Sequence, residues 1–140
     1  MGVEELKKFK KHLMFYCQSV HPDSGVKFRT TEVYTGSLEV NMVATKDIDA
    51  SKHLAHCVGT MVRMTEQLEM GEDVICWWVI NHRGQNHVLL GPLRFFNHDC
   101  RNNAKFASHS SKKLVPRIKA KVKTGRQVTV FYGRRLPWFR

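Results

Sequence analysis

The sequence lacks any long hydrophobic run. Its longest unbroken apolar stretches hold about half a dozen residues, whereas a helix needs roughly 20 to cross a bilayer. Nor does an apolar stretch follow Met1 in the manner of a secretion signal. We therefore expect an intracellular protein with no membrane partner.

The cysteines lack the spacing of a metal or disulfide motif. The chain has four cysteines, and no two of them form a CxxC pair: Cys17, Cys57, Cys76 and Cys100. This spacing argues against a disulfide framework and against a self-contained zinc finger. His53 and His56, close to Cys57, favour a surface histidine pair beside a core thiol over a metal site. We expect no bound metal.

Acidic residues are rare in the second half of the chain. Residues 1–70 contain nine Lys and Arg and nine Asp and Glu, whereas residues 71–140 contain fourteen and three. So few carboxylates argue against the paired acids of glycosidases. The uneven net charge of +11 predicts a polyanionic partner, with nucleic acid the first candidate. The alternative is a solvated basic surface that only keeps the protein soluble.

Common nucleotide-binding and hydrolase motifs are also missing. The chain has no P-loop, GxGxxG, HExxH or GxSxG pattern, so the usual signatures of nucleotide hydrolysis, dinucleotide binding and hydrolase chemistry are absent. What is present is a chain of 140 residues, 42% of them apolar. That length and composition suit one globular domain with its own core.

One helix and several short strands are predicted. Residues 3–17 carry apolar side chains at helical spacing, with lysines largely opposite, and we expect this helix to dock on the core. Residues 21–25 include Pro22 and Gly25 and predict a turn. From Val26 onward the apolar pattern has a period of two, which predicts strands. The predicted strand segments are 26–29, 38–42, 75–80, 118–122 and 128–132, with a hairpin tip at 83–84.

Two segments near the end of the chain form a pair. FFNHDC at 95–100 places two aromatics before an Asn-His-x-Cys tetrad, and VTVFYG at 128–133 ends in Phe-Tyr-Gly. Their order and spacing resemble the two signature motifs of the SET-domain protein lysine methyltransferases. In that family the first motif binds the methyl donor and the second carries the catalytic tyrosine.

The resemblance covers residues 6–133. The strings HPDSG, VYTG, VATKDI, VGTMVRMTE, LLGPLRFFNHDCRNNAKF and VTVFYG are similar to the Suv4-20 branch, which methylates a lysine in the histone H4 tail. The resemblance implies the SET fold, a mainly β (α+β) β-clip of short antiparallel sheets with a C-terminal pseudoknot, preceded by one N-terminal helix. It divides the chain into an N-terminal helix and turn (1–25), a SET domain (26–133) and a short aromatic and basic tail (134–140).

The resemblance also implies an activity. S-adenosylmethionine would be the methyl donor, and a lysine of histone H4 or H3 in nucleosomes would be the substrate. The basic second half would then contact DNA, and the protein would act on chromatin in the nucleus. Two alternatives stay open: a catalytically silent SET-like module that binds chromatin or nucleic acid, and a methyltransferase for a non-histone protein.

Individual residues of this chain match the functional residues of the family. Tyr132 matches the catalytic tyrosine. The positions that match donor-binding residues are Tyr34, Thr35, Gly36, Ser37, Phe96, Asn97 and His98. Val130 lies where family members tune the number of methyl groups, and its small side chain without a hydroxyl predicts di- or trimethylation.

The end of the chain differs from related enzymes. Those enzymes continue into a cysteine-rich tail that binds zinc together with the cysteine of NHxC, whereas residues 134–140 contain no cysteine. Cys100 then lacks the family's other ligands, so zinc is not expected. Because that tail completes the lysine channel, Trp138 and Phe139 are candidates to replace it, either from the same chain or from the second subunit of a homodimer. Ordinary core or surface anchoring of both residues is equally open.

Two internal positions also differ from the Suv4-20 branch. Leu89 stands where that branch has an aromatic residue before LGP, and Trp77 or Trp78 are candidates to compensate in the substrate channel. Gly125 is followed by RQ at 126–127, where the branch has an acidic pair. Both departures keep the silent binding module open.

Overall fold

The computed structural model describes residues 2–31, 39–63, 79–82, 84–110 and 112–131. Its elements, in chain order, are helix α1 (Val3–Ser19) and strands β1 (Val26–Thr31), β2 (Glu39–Ala44), β3 (Gly59–Arg63), β4 (Val79–His82), β5 (Gln85–Leu90), β6 (Ala104–Ser110) and β7 (Lys113–Ile118). Short 3-10 helices occupy Pro22–Ser24 and Pro92–Phe95. Within these ranges no helix is long and apolar enough to cross a membrane.

Strands β1 and β2 form an antiparallel pair. Val26 lies opposite Ala44, and Thr31 lies opposite Glu39. The predicted period of two holds on β1, where Val26 is buried and Lys27 is exposed. It does not hold on β2, because all residues from Asn41 to Ala44 are buried. This strand lies between β1 on one edge and residues 125–128 on the other.

The second sheet has five strands in the order β4-β5-β3-β7-β6. All of its neighbouring strands are antiparallel. His82 pairs with Gln85 across a tight turn, in which Gly84 has a φ of +77°. A left-handed residue at this position is typical of two-residue hairpins and favours glycine. The predicted hairpin is therefore confirmed.

The predicted strand over 118–122 is wrong. Strand β7 ends at Ile118, and Val122 forms only an isolated antiparallel bridge with Ile48. The chain turns after Ile118 because the N–H groups of Lys119 and Ala120 both donate to the carbonyl of Asn103, at 2.7 and 3.5 Å. Of the three alternating residues that predicted the strand, Ile118 and Val122 are buried, whereas Ala120 is exposed.

Strand β6 and most of β7 were not predicted. The β6 sequence is AKFASHS, which has few β-branched or aromatic residues. Its partner β7 contains Pro116, which normally argues against a strand. For the predicted strand 75–80, the structure describes residues 79 and 80, which belong to β4. Residues 75–78 lie outside the described ranges.

Helix α1 was expected to dock on the core along its length, but only its C-terminal end packs against the described residues. The apolar side chains of its first three turns are exposed, Phe9 by 54% and Leu13 by 50%. Only the C-terminal end is packed, where Tyr16 meets Phe95 edge-on with 6.2 Å between ring centroids and Ser19 is buried. Burial raises the pKa of the Tyr16 hydroxyl above its usual value, although the positive charge of Arg94 acts in the opposite direction.

The core lies where the two sheets and residues 128–130 meet. Its completely buried members include Met42, Cys57, Leu93, Phe96, Ala104, Val128 and Val130. Phe96 and Val130 come from the two motif segments. Burying a side chain of this size contributes roughly 1.5–3 kcal/mol, so one buried side chain in each segment holds that segment on the core.

Candidate active site

The two motif segments meet as neighbouring backbones. His98 and Val130 form a parallel β-bridge. The N–H of Val130 donates to the carbonyl of Asn97 at 3.0 Å, and the N–H of Asp99 donates to the carbonyl of Val130 at 3.1 Å. The structure therefore brings three of the predicted site residues, Asn97, His98 and Val130, into direct contact.

The opposite edge of the last segment is bonded to β2. The N–H of Val128 donates to the carbonyl of Met42 at 2.9 Å, and Gln127 forms an antiparallel bridge with Val43. Further back, the N–H of Ala44 donates to the carbonyl of Arg126 at 2.9 Å. Residues 126–130 thus have hydrogen-bonded neighbours on both sides. This explains how Val128 and Val130 are fully buried without belonging to a regular strand.

Asn103 holds this segment with its side chain. Its Nδ2 donates to the carbonyl of Gln127 at 2.8 Å, and its Oδ1 accepts from the N–H of Thr129 at 2.8 Å. The N–H of Ala104 continues the pattern by donating to the carbonyl of Thr129 at 2.9 Å. An amide side chain that both donates and accepts imitates a strand residue. Sequence reasoning missed Asn103, and its position three residues after the NHDC tetrad was the available signal.

The turn between the segments is closed by its own polar residues. The N–H of Arg101 donates to Oδ1 of Asp99 at 2.7 Å, which forms the Asx turn expected of this residue type. Nδ2 of Asn102 donates to the carbonyl of Ala104 at 2.7 Å. Short side chains of this kind let residues 97–103 reverse direction while the backbone stays hydrogen-bonded.

The predicted donor-binding residues divide into buried and accessible positions. The Phe96 side chain is completely buried, so its ring contributes to the core. Asn97 and His98 are half-buried, and Nδ2 of Asn97 donates to the carbonyl of Val40 at 3.4 Å. The imidazole of His98 lies 5.2 Å from the ring of Phe131, which is 42% exposed. Together His98 and Phe131 present a partly exposed aromatic surface at the junction.

Two other predicted positions belong to the core. Val130 is completely buried and belongs to the core cluster. Its predicted role in setting the number of methyl groups stays a prediction. Leu89, which replaces an aromatic residue of the Suv4-20 branch, is also buried and belongs to the same core cluster as Leu93. Its packing explains why a branched aliphatic side chain is accommodated there.

Several predicted residues lie outside the described ranges. They are the catalytic candidate Tyr132, the donor-loop candidates Tyr34, Thr35, Gly36 and Ser37, and the channel candidates Trp77, Trp78, Trp138 and Phe139. The described chain ends at Phe131, the residue immediately before Tyr132. The assignments of all nine residues stay predictions.

The histidines and cysteines that were weighed as metal ligands lie partly at the surface and partly in the core. Cys57 is buried, as predicted, and burial raises the pKa of its thiol to about 12. His56 stacks on His21 with 6.0 Å between ring centroids. The exposed Cys100 has its Sγ 3.4 Å from Nε2 of His98. Over the described residues, no three His, Cys, Asp or Glu side chains form a group that could hold a metal ion.

Several curated histone-lysine N-methyltransferases are similar to this chain in sequence. A histone-lysine N-methyltransferase SET9 of Phaeosphaeria nodorum is 29% identical over 131 residues, which cover 90% of this chain and 20% of that protein. The Aspergillus fumigatus set9 is 31% identical over 130 residues, covering 89% and 21%. The Schizosaccharomyces pombe set9 is 28% identical over 133 residues, covering 91% and 30%. The chain therefore spans less than a third of the length of these relatives.

Solved structures share the fold. A crystal structure from Plasmodium falciparum, described as that of a histone methyltransferase, superposes with a TM-score of 0.61 at 12% identity and covers 83% of this chain and 97% of the other. The methyltransferase domain of human PR domain-containing protein 2 gives a TM-score of 0.53 at 14% identity, covering 87% and 86%. These likenesses confirm the predicted SET fold. Since the SET domain family model also matches residues 3–133, the chain belongs to the SET domain family.

Proposed function

We propose that this chain is an S-adenosylmethionine-dependent protein lysine N-methyltransferase that acts on a histone. The observation that carries the proposal is the hydrogen-bonded contact of Asn97, His98 and Asp99 with Val130. It supports the expectation that a donor-binding loop and a tyrosine-bearing segment lie side by side. The curated relatives, which are named as histone-lysine N-methyltransferases, support the same reaction class.

The described residues at this junction fit a nucleoside-type donor. Asn97 and His98 would hold it, since both are half-buried and combine hydrogen-bonding groups with an aromatic face beside Phe131. By resemblance, residues 34–37 and Phe96 would complete the site, and the backbone of Asn97 and His98 would make most of the contacts to the adenine. When bound, S-adenosylmethionine supplies an electrophilic methyl group on a sulfonium whose thioether is a good leaving group.

The protein's own contribution is to prepare and align the lysine amine. A free lysine has a pKa of about 10.4, so it must lose its proton to water before it can act as a nucleophile. A channel built against the apolar core under residues 128–130 would favour the neutral amine by desolvation. Tyr132 directly follows Phe131, and its hydroxyl would orient the amine nitrogen. The hydrogen bonds of Asn103 hold the segment that leads to it, which favours alignment.

The finer assignments follow from the sequence resemblance. We place the chain in the Suv4-20 branch, with a lysine of histone H4 or H3 as substrate, di- or trimethyl lysine as product and the nucleus as location. The division into residues 1–25, 26–133 and 134–140 is part of the same proposal. Trp138 and Phe139 would close the lysine channel, from the same chain or from a second subunit.

Two observations favour a second candidate, a SET-fold module that binds chromatin without catalysis. Leu89 is buried in the core where the branch has an aromatic residue, so this position offers no aromatic ring to a lysine channel. Arg126 and Gln127 also replace the acidic pair. Such a module would keep donor or histone binding and lack methyl transfer.

Transfer of radiolabelled methyl groups onto nucleosomes and free histones separates these candidates. We expect wild type to label a histone and Tyr132→Phe to lose at least about a hundredfold in rate, because a positioned hydroxyl at the reacting centre is removed. Tyr16→Phe is the matched control. It also removes a tyrosine hydroxyl, that of the ring that packs against Phe95, and it should retain wild-type labelling.

Each outcome decides between the candidates. Equal labelling by wild type and Tyr132→Phe would overturn the catalytic assignment of Tyr132. Donor binding without labelling of any protein would support the silent module, and labelling of non-histone proteins alone would overturn the histone substrate. Mass spectrometry of the labelled peptide at full turnover tests the methyl count, and only monomethyl lysine would contradict the interpretation of Val130.

A further inference from the structure

We propose that a basic cleft next to the candidate active site binds the phosphate backbone of double-stranded DNA. The cleft has a volume of about 410 Å³, and four cationic residues line it: Arg101, Lys121, Lys123 and Arg126. All four are exposed. Asp99 is the one acidic residue among the described residues that line it. The net charge of the lining is therefore strongly positive, as an anion-binding surface requires.

The cleft is formed by two loops that the fold holds firmly. On one side, Asp99, Arg101 and Asn103 belong to the turn that is closed by its own hydrogen bonds. On the other side, the loop from 119 to 126 is tied at Val122, whose N–H and carbonyl both bond to Ile48 at 2.9 and 2.8 Å. Positive charges presented on fixed backbone lose less freedom when they bind a ligand.

Neighbouring acids reduce the positive charge of this loop only in part. Oδ1 of Asp47 accepts hydrogen bonds from the N–H and hydroxyl of Thr124, at 2.9 and 3.0 Å. Asp49 lies 3.9 Å from Nζ of Lys121. Both groups of that ion pair are largely exposed, and exposed pairs are weak. Lys121 therefore remains able to exchange this contact for a phosphate.

The lining distinguishes between kinds of polyanion. Among the described lining residues none is aromatic, and Val122 is the only apolar one. Single-stranded nucleic acids bind largely by stacking bases on aromatic side chains, and protein partners need buried apolar anchors. A cleft of Lys and Arg without either feature suits the sequence-independent phosphate contacts of a duplex.

The location of the cleft connects it to the proposed reaction, and this link rests on the proposed function. Asp99 and Thr129 line the cleft. The N–H of Asp99 bonds to Val130 of the second motif segment, and the carbonyl of Thr129 bonds to Ala104, just after the first. DNA bound there would lie beside the site that acts on a histone. A nucleosome supplies both groups at once, because its histone tails emerge next to a duplex.

Fluorescence anisotropy with a labelled duplex of mixed sequence, measured from 50 to 200 mM NaCl, tests this proposal. The test variant is Lys121→Gln/Lys123→Gln/Arg126→Gln. The matched control is Lys8→Gln/Lys10→Gln/Lys27→Gln, which removes the same three charges at exposed positions on α1 and β1. Thermal unfolding of both variants verifies that they are folded, as expected for exposed side chains.

We expect wild-type binding to weaken steeply with salt, and the cleft variant to lose about two to three units of the slope of log affinity against log salt. The control should keep the wild-type slope. Absence of duplex binding by wild type, or an equal loss in both variants, would overturn the proposal, as would tighter binding of polyglutamate or of a single strand than of the duplex. The measurement uses neither methyl donor nor histone, so its result is independent of whether the methyltransferase assignment survives.

Discussion

Asn103 and Thr129 bond to each other through both backbone and side chain. The N–H of Thr129 donates to Oδ1 of Asn103 at 2.8 Å, and the N–H of Asn103 lies 3.4 Å from Oγ1 of Thr129. Thr129 is buried, and its carbonyl also accepts from Ala104. This pair joins the NHDC turn to the segment that leads to Tyr132. We therefore expect the Asn103–Thr129 pair to stabilise the candidate site.

Replacing Asn103 should weaken the fold. Asn103→Ala removes the part-buried hydrogen bonds to the carbonyl of Gln127 and from the N–H of Thr129, and we expect a loss of about 2 kcal/mol in the free energy of unfolding, since each such bond contributes about 1 kcal/mol. Urea denaturation measures the change. Asn102→Ala is the control and should cost less, since it removes one part-buried hydrogen bond to the carbonyl of Ala104 and an exposed one from Nζ of Lys119. Equal losses in the two variants would contradict the role given to Asn103.

Gly59 should not tolerate a side chain. A Cβ at this position would lie 2.6 Å from Cδ1 of Leu89 and 2.8 Å from Cβ of Leu93, both in the core. We expect Gly59→Ala to destabilise the protein by about 1–3 kcal/mol through overpacking, measured by chemical denaturation. At Gly2 the nearest atom to an added Cβ is Oε2 of Glu5 at 3.9 Å, so Gly2→Ala is a control without a clash. If Gly59→Ala were as stable as the control, Leu89 and Leu93 could move away from the added Cβ at no cost, which would contradict the prediction.

Asp47 should contribute stability that is lost in acid. Its hydrogen bonds from the backbone and side chain of Thr124 lower the pKa of its carboxyl. A carboxyl whose pKa is lower in the folded state stabilises the protein above its unfolded pKa, and this contribution disappears as the pH falls through the folded value. The difference in unfolding free energy between wild type and Asp47→Asn should therefore shrink as the pH is lowered from about 5.

The control for this pH dependence is Asp49→Asn. Asp49 lies on the same loop, and its side chain forms the exposed 3.9 Å ion pair with Lys121. We expect a smaller dependence on pH than for Asp47→Asn, because an exposed pair contributes little. A constant difference between wild type and Asp47→Asn across the acid range would contradict the assignment.

The cysteines should differ in reactivity. Burial raises the pKa of Cys57 to about 12, so almost none of its thiol is ionised near neutral pH, whereas Cys17 and Cys100 are exposed. Under native conditions, alkylation by iodoacetamide should modify Cys17 and Cys100 first and leave Cys57 intact, as followed by peptide mass spectrometry. Denaturant should abolish the difference. Native labelling of Cys57 at the rate of Cys100 would contradict its burial.

The sequence predicted strand β1 and the turn between β4 and β5 because both depend only on neighbouring residues. The alternation of Val26 and Lys27 indicated β1, and the glycine at 84 indicated the turn between β4 and β5. Both signals are local, since a strand with one buried face and a left-handed turn each require particular residue types at particular positions. The exposure of Phe9 was not predictable in this way. Helical spacing shows that α1 has an apolar face, and only the packing of Tyr16 shows which part of the helix has a surface to meet.

The sequence by itself determined the family, through the NHDC and FYG segments, and the excess of positive charge in the second half. Tertiary structure alone decided that Val130 bonds to Asn97, that Asn103 holds Thr129, and that Arg101 faces the loop of Lys121 across one cleft. The physical reason is that backbone hydrogen bonds between distant segments use groups common to every residue. Such bonds leave no trace in the local pattern until the chain has folded.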